Sequence, residues 1–516
     1  MKRFVWLPCV GLAVACAFAA GRPQPDYADR VLRLSVTYQD WNEFRPWAKL
    51  NPGRRPANAV LLKDRSLLTT AEMLRNATMI ELEKRGATTC DRVRIVHLDA
   101  DLNLALLAAE CPGFVDDLEP VEFAGAAPSE GDLSAVRWKN GEIEVSPTRV
   151  SRVEVRETKY SSLAHPFLIA TTNMEDGGRA EPVFAADELV GLAESQSERT
   201  LPIIPADLIQ SYLRLARADG PYRGMAALGV EWQSGEDPAL AAFLGLSGAP
   251  RGVVVTETPR GSSGCGALRP RDVLLSLDGY AIEATGFYEH PRYGRIRFGY
   301  IPADGHAAGD AIPAQVLRAG KTVELKVPLR REEAALDLIP ETRTGGPPFV
   351  IAGGLVLREL DATYLRAWGR DWSKRAPMTL LALNKTAATD QQAGRRRVLI
   401  LVNVLPSAFN LGYQQLEDLV ITAINGRPVD TVSSAVEALR HPVDGFQRFM
   451  TAPGASPAEI VLDAERFEAA TQEILATYRI SERQRLTPEL PDLGPPCAEP
   501  SPSPGDGGPA GAAPPH

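Results

Sequence analysis

Few groups in this 516-residue chain have the type and spacing that chemistry requires. Six histidines and six cysteines are scattered through it. No CxxC or Cys/His cluster has metal-ligand spacing, so neither a metal nor another cofactor is expected. Ser161-Ser162 stand in a turn-rich stretch before His165, and Asp101 has no histidine placed for it to serve. His97 and His165 read as structural or surface histidines rather than as acid–base groups. The run Gly177-Gly178-Arg179-Ala180-Glu181-Pro182-Val183-Phe184 is a tight turn with Arg179 inside it. Arginine offers neither a nucleophile nor a removable proton, so the turn has nothing with which to attack a carbonyl.

The cysteines allow a second kind of chemistry. Beyond the N-terminal segment there remain Cys90, Cys111, Cys265 and Cys497. The runs 93–96 and 104–107 read as strands joined by a turn at 98–103. If residue 95 faces 106, residue 90 faces 111, within reach of a Cys90–Cys111 disulfide; the alternative is two unconnected small hydrophobes.

Length points to about three domains. Hydrophobic residues make up 44% and charged residues 23%, enough to bury several cores. Lys+Arg total 56 against 65 Asp+Glu, for a net charge of −9. Arg395-Arg396-Arg397 and Lys84-Arg85 are short solvated clusters, so nucleic-acid binding is not expected. At the N-terminus, Lys2-Arg3 precede an apolar run from Phe4 to Ala20, the pattern of a secretory signal peptide over 1–20. Cleavage is expected near Ala19 or Ala20; alternatively Ala13-Val14-Ala15-Cys16 acts as a lipobox and Cys16 tethers the protein to a membrane. Export across the inner membrane to the periplasm follows from either.

From Asp29 to Arg217 short β-rich runs alternate with turns, which suggests a barrel or sandwich, and Pro205 to Leu213 reads as a closing helix. Two related segments follow. Each has an apolar strand, a Pro turn and an Asp-led run ending in [DN]-G: Asp272-Val273-Leu274-Leu275-Ser276-Leu277-Asp278-Gly279, and Asp418-Leu419-Val420-Ile421-Thr422-Ala423-Ile424-Asn425-Gly426. Both resemble the signature strand of a PDZ domain. The tail 487–516, rich in Pro, Gly and Ala, is expected to be disordered.

With a β-domain ahead of two PDZ-like segments, the chain resembles the HtrA/Deg family of secreted serine proteases, most of all its plant-type Deg branch. Leu67-Leu68-Thr69-Thr70-Ala71-Glu72-Met73-Leu74 resembles VLTNAHxV, Leu102-Asn103-Leu104-Ala105-Leu106-Leu107 resembles CDIALL, and the 177–184 turn resembles GNSGGPxF. The resemblance implies a mainly β fold, with a trypsin-like double β-barrel over 28–217 and PDZ-like α+β domains over 222–336 and 345–482. It also places Glu72, Asn103 and Arg179 where the family carries its His, Asp and Ser, so the catalytic triad is degenerate and no catalytic residue is intact. Glu72 could take a proton but has nothing to activate. A Glu72–Arg179 ion pair, or Arg179 facing solvent, would then occupy the old site. In the first PDZ-like segment Ala227-Leu228-Gly229-Val230 resembles the carboxylate-binding loop, with Val230-Glu231-Trp232 as the pairing strand. Leu228, Gly229, Val230 and Trp232 are the expected peptide-binding residues; the alternative is an ordinary strand-opening glycine. The aromatic and Arg-rich stretch 287–301 falls where a simpler PDZ domain has its groove helix, whereas 432–439 keeps one. The implied function is an exported pseudoprotease that binds peptides or unfolded proteins, assembled as a trimer-based homo-oligomer. The alternative is an atypical serine endopeptidase of the same family.

Overall fold

In the strand Val31–Tyr38, Val31, Leu32, Leu34 and Val36 are buried while Arg33, Ser35 and Thr37 are partly exposed. This period-two alternation is what a sheet needs when one face encloses a core. The computed structural model describes residues 26–125, 131–158, 163–332, 336–341, 345–492 and 494–497. Residues 1–20, expected to form a signal peptide, with Cys16, and Ser161-Ser162, lie outside the described residues.

The N-terminal half is a trypsin-like pair of sheets. The first runs in the order Thr88–Cys90, Ala77–Lys84, Val31–Tyr38, Gly53–Leu61, Leu67–Thr69, Leu104–Ala109 and Val93–Asp99. In the second, Glu188–Ala193 pairs with both Pro182–Ala185 and Thr200–Pro205, which closes six strands into a barrel. That closure requires Gly191, because a Cβ there would lie 2.1 Å from the Ile204 carbonyl oxygen. The helix Ala206–Ala216 follows, starting after Pro205 as expected, and buries Leu208, Ile209, Tyr212 and Leu213.

Cys90 and Cys111 are joined, with Cα atoms 5.8 Å apart. The register behind the sequence argument differs by one at residue 95, which faces Leu107, and an irregularity between 95 and 97 shifts it by one more, placing His97 opposite Leu106. Cys90 sits on its own edge strand, paired to Leu82, so the bridge ties that edge to the chain leaving Leu104–Ala109.

The first PDZ unit is built on Glu231–Ser234, Val253–Glu257, Val273–Leu277, Ala311–Arg318 and Lys321–Pro328. Its aromatic insertion is a hairpin, Phe287–His290 with Gly294–Arg297, followed by the 3-10 turn Phe298–Ala303. Buried Tyr288, Phe298 and Tyr300 belong to one hydrophobic core with Phe167 and Leu168 of the second barrel, so the two units share an interior.

In the second PDZ unit Leu399–Val404 and Leu419–Ile424 lie at the centre of a sheet extended by Phe446–Thr451 and Glu459–Asp463 on one side. Leu355–Glu359, Phe349–Ala352 and Gln484–Arg485 extend it on the other. The barrel hairpin Trp41–Lys49 docks here. Phe44 packs on Tyr364 and Trp368, Trp47 on Phe349, and Glu43 meets the fully buried Arg358.

The tail departs from expectation. Residues 487–492 and 494–497 do not trail into solvent but cross both PDZ units, and Cys497 is joined to Cys265. Hydrogen bonds to polar backbone and a covalent end replace the apolar anchor that the composition lacks. The remaining tail, 498–516, lies outside the described residues.

Candidate functional site

Glu72, Asn103 and Arg179 come together where the two N-terminal sheets meet. Glu72 stands in the 3-10 turn Ala71–Leu74 that follows the strand Leu67–Thr69. Asn103, fully buried in a left-handed conformation (φ 55°), holds this turn by two bonds. Its Oδ1 accepts from the Glu72 N–H at 2.8 Å, and its carbonyl accepts from the Ala71 N–H at 3.1 Å. Its Nδ2 donates to Oε1 of Glu194 at 3.3 Å, and Thr158 Oγ1 donates to the same oxygen at 2.9 Å. Buried Asn58 ties in the third position: its N–H and Nδ2 both donate to the Arg179 carbonyl, at 3.0 and 3.2 Å. The Asn58 carbonyl accepts from Thr69 Oγ1 at 2.8 Å, so the strand Gly53–Leu61 anchors both halves. Glu72 and Asn103 thus meet directly, and Arg179 is fixed to the same framework through its backbone. Among the described residues no ion pair joins Glu72 to Arg179; the arginine side chain is half-exposed between two surface clefts.

The N–H groups of residues 177 to 180 in this turn are all committed. Gly177 N–H donates to Gln196 Oε1 at 2.6 Å. Gly178 and Arg179 N–H both donate to Oε2 of Glu181, at 2.8 and 2.6 Å. Gly178 has φ 85°, and a Cβ there would lie 2.3 Å from the Ser195 backbone, so only glycine lets the turn pack this closely. Burial raises the Glu181 carboxyl above its usual value despite the opposing N–H groups and Arg137. A turn that could gather N–H donors around a developing oxyanion instead turns them onto an internal carboxylate and an amide.

The histidines have other duties. His97 Nδ1 lies 2.9 Å from the Tyr212 hydroxyl. His165 is fully buried, its Nδ1 is 3.0 Å from the Pro166 carbonyl, and burial lowers it to about 4.

The two PDZ grooves differ from each other. In the first, buried Leu228 accepts from the Gly264 N–H at 3.0 Å, and Gly229 (φ 59°) lies against Ser262. Gly229 faces a 620 Å³ cleft shared with Arg260, Ser262, Ser263, Arg330 and, from the second PDZ unit, Gln391. Val230 packs on Gly264, and Trp232 lies against Gly286, the Phe298 ring at 5.3 Å and the Arg297 guanidinium at 5.5 Å. The inserted hairpin therefore covers Trp232, while the loop end stays open to the cleft. In the second unit the helix Val432–Ala438 is present, but the strand beside it, Leu355–Glu359, is paired on both edges. Its outer edge carries Phe349–Ala352, connected through Gly353-Gly354 (φ 61° and 90°), with Val350 and Ala352 buried. The chain fills its own second groove.

The PDZ domain family matches residues 340–485. Over 468 residues the chain is 25% identical to the chloroplastic protease Do-like 2 of Arabidopsis thaliana, covering 89% of this chain and 75% of that relative. It is 20% identical over 456 residues to the putative protease Do-like 13 of the same plant, covering 87% of each. The solved HtrA-type protease AlgW with decapeptide aligns with 59% of this chain and 97% of its own, at 21% identity and a TM-score of 0.44. Over most of its length the chain is therefore similar to proteases of the HtrA/Deg family.

Within this HtrA/Deg homologue, sequence reading located Glu72, Asn103 and Arg179 but not the groups that bind them. Glu194 supplies the carboxylate behind Asn103 from 91 residues away, and Glu181 and Gln196 occupy the turn donors. No spacing rule links these residues. An acid where the family pattern has glycine, at 181, was the one visible signal.

Proposed function

We propose that this HtrA/Deg homologue is an exported, periplasmic pseudoprotease that holds peptides or unfolded partner proteins without cleaving them. The observation that carries this reading is the closed 177–181 turn. Its three successive N–H groups are spent on Gln196 and Glu181, and Arg179 stands among them without a hydroxyl or thiol. Acyl transfer needs a nucleophile, a base and oxyanion donors together, and this arrangement lacks the first and last. Peptide capture falls to the first PDZ unit, through Leu228, Gly229 and Val230 at the open end of its cleft. Assembly into trimer-based homo-oligomers, and a membrane tether through Cys16, belong to the same reading. Two disulfides agree with an oxidising compartment.

The test is degradation of unfolded casein by the purified mature protein beside an Arg179→Ala variant. No cleavage by either, from folded protein, is the expected result. Cleavage that withstands contamination controls and changes in the variant would overturn the reading in favour of an atypical serine endopeptidase.

A further inference from the structure

We propose that the Cys265–Cys497 bridge is a reducible latch. A dithiol reductant opens it, releases the strap formed by residues 487–497, and frees the two PDZ units to part around the cleft between them.

The strap begins on the second PDZ unit. Thr487 Oγ1 accepts from the Ser433 N–H at 3.2 Å, at the start of the groove helix, and donates to Glu359. Next, the Pro491 carbonyl accepts from Arg396, and the Gly494 carbonyl accepts from Arg260 of the first PDZ unit. Arg260 also donates to the Gln391 carbonyl at 3.4 Å, so one side chain binds both the strap and the neighbouring unit at the cleft rim. The strap ends at Cys265, one residue after Gly264, whose N–H holds the Leu228 carbonyl.

No described residue between Thr487 and Cys497 is buried. The strap thus has hydrogen bonds at its crossings and a covalent end, but no apolar anchor. Such a segment opens locally at small free-energy cost once its tether is cut. The two bridges also differ in exposure. Cys90 is 1% exposed while its partner Cys111 is half-exposed, whereas Cys265 and Cys497 are both half-exposed, so the second bridge offers two reachable sulfurs and the first offers one. Exchange needs a thiolate to reach a sulfur, so access favours the second bridge. One reductant thiolate attacks Sγ of Cys497 and the S–S bond breaks, with Cys265 leaving as thiolate. The second reductant thiol then displaces Cys497. The reductant departs as a disulfide after giving two electrons, and both cysteines become thiols.

The full-length protein is titrated with dithiothreitol, alkylated and mapped by mass spectrometry, with hydrogen exchange read on the same samples. Cys265–Cys497 is expected to open at about tenfold lower dithiothreitol than Cys90–Cys111. Exchange at 487–497 and 391–396 is expected to rise about tenfold on opening, and equally in Cys497→Ser without reductant. Both bridges opening together, or opening with unchanged exchange, would overturn the latch. The consequence for ligand access rests on the peptide-binding reading above and is measured separately, with a fluorescent decapeptide ending in a free Val carboxylate. Tighter binding after opening is expected. Equal binding in both states removes the latch's control of the cleft, while no binding in either state sinks the peptide reading and leaves the exchange data to decide the latch.

Discussion

Arg358 is wholly buried between two carboxylates, and its removal tests how firmly the first barrel is fixed to the second PDZ unit. Its Nη1 donates to Glu43 Oε2 at 2.8 Å and to the Glu43 carbonyl at 2.9 Å. Its Nη2 donates to Asp361 Oδ2 at 2.7 Å, Nε donates to the Glu359 carbonyl at 3.0 Å, and the guanidinium lies 4.9 Å from the centre of the Tyr364 ring. Arg358→Met keeps most of the volume but removes the guanidinium that both Glu43 and Asp361 bind. Breaking a buried pair in this way costs about 3–5 kcal/mol. Burial already raises the Glu43 carboxyl. In the variant the Glu43 carboxyl is pushed higher still, the folded state binds a proton that the unfolded state releases, and the loss shrinks as pH falls. The triple variant Glu43→Gln, Arg358→Met, Asp361→Asn removes all three charges, and the carboxamide oxygen it introduces can still accept from the Tyr364 N–H, as the Asp361 carboxylate does at 2.6 Å. It should recover to within about 2 kcal/mol of the parent, because a neutral trio carries little of the desolvation penalty. Urea unfolding followed by tryptophan fluorescence reads this directly, since Trp47 and Trp368 lie in the docked interface. A loss under about 1 kcal/mol for Arg358→Met, or a triple variant no more stable than the single, would refute the argument.

Two further outcomes follow from features of the barrels. Cys90→Ser should destabilise the first barrel by about 3 kcal/mol, from the chain entropy of a loop spanning 21 residues, measured as a shift in urea midpoint; an unchanged midpoint would show that the edge strand needs no tie. Because burial raises Glu181, the stability it supports is full below the unfolded carboxyl value of about 4 and declines as pH rises through the folded value. The Tm of the parent relative to Glu181→Gln should therefore fall between pH 4 and 8, and a constant difference would mean that the carboxyl is not perturbed.

The parts of this molecule legible in its sequence are those written locally. Alternation along Val31–Tyr38 announced a half-buried strand, and Pro205 ahead of an apolar helical stripe announced the closing helix. The run around Arg179 is equally local, an arginine standing where the resemblance leads one to expect a serine. Long-range pairings were not legible: nothing local ties Glu194 to Asn103, or Glu43 to Arg358 across 315 residues. Two features did leave signals. Once Cys90 and Cys111 are paired, Cys265 and Cys497 remain as the other two cysteines beyond residue 20. Gly353-Gly354 between two apolar runs is a strong hairpin turn, and it would have placed Phe349–Ala352 against Leu355–Glu359. Composition misled in the tail because a disulfide can hold a segment that hydrophobic burial cannot.

That hairpin has a consequence for how the second PDZ unit can evolve. A ligand tethered by a two-residue turn faces its groove at an effective concentration on the order of millimolar or higher. A free peptide of equal intrinsic affinity must reach that same concentration to occupy half of the grooves. The groove's selectivity is thus directed inward, at Val350 and Ala352, which are buried in one core with the helix residues Val432 and Ala435. A substitution in that strand acts as a change of ligand, and its readout is the integrity of the domain rather than the choice of a partner.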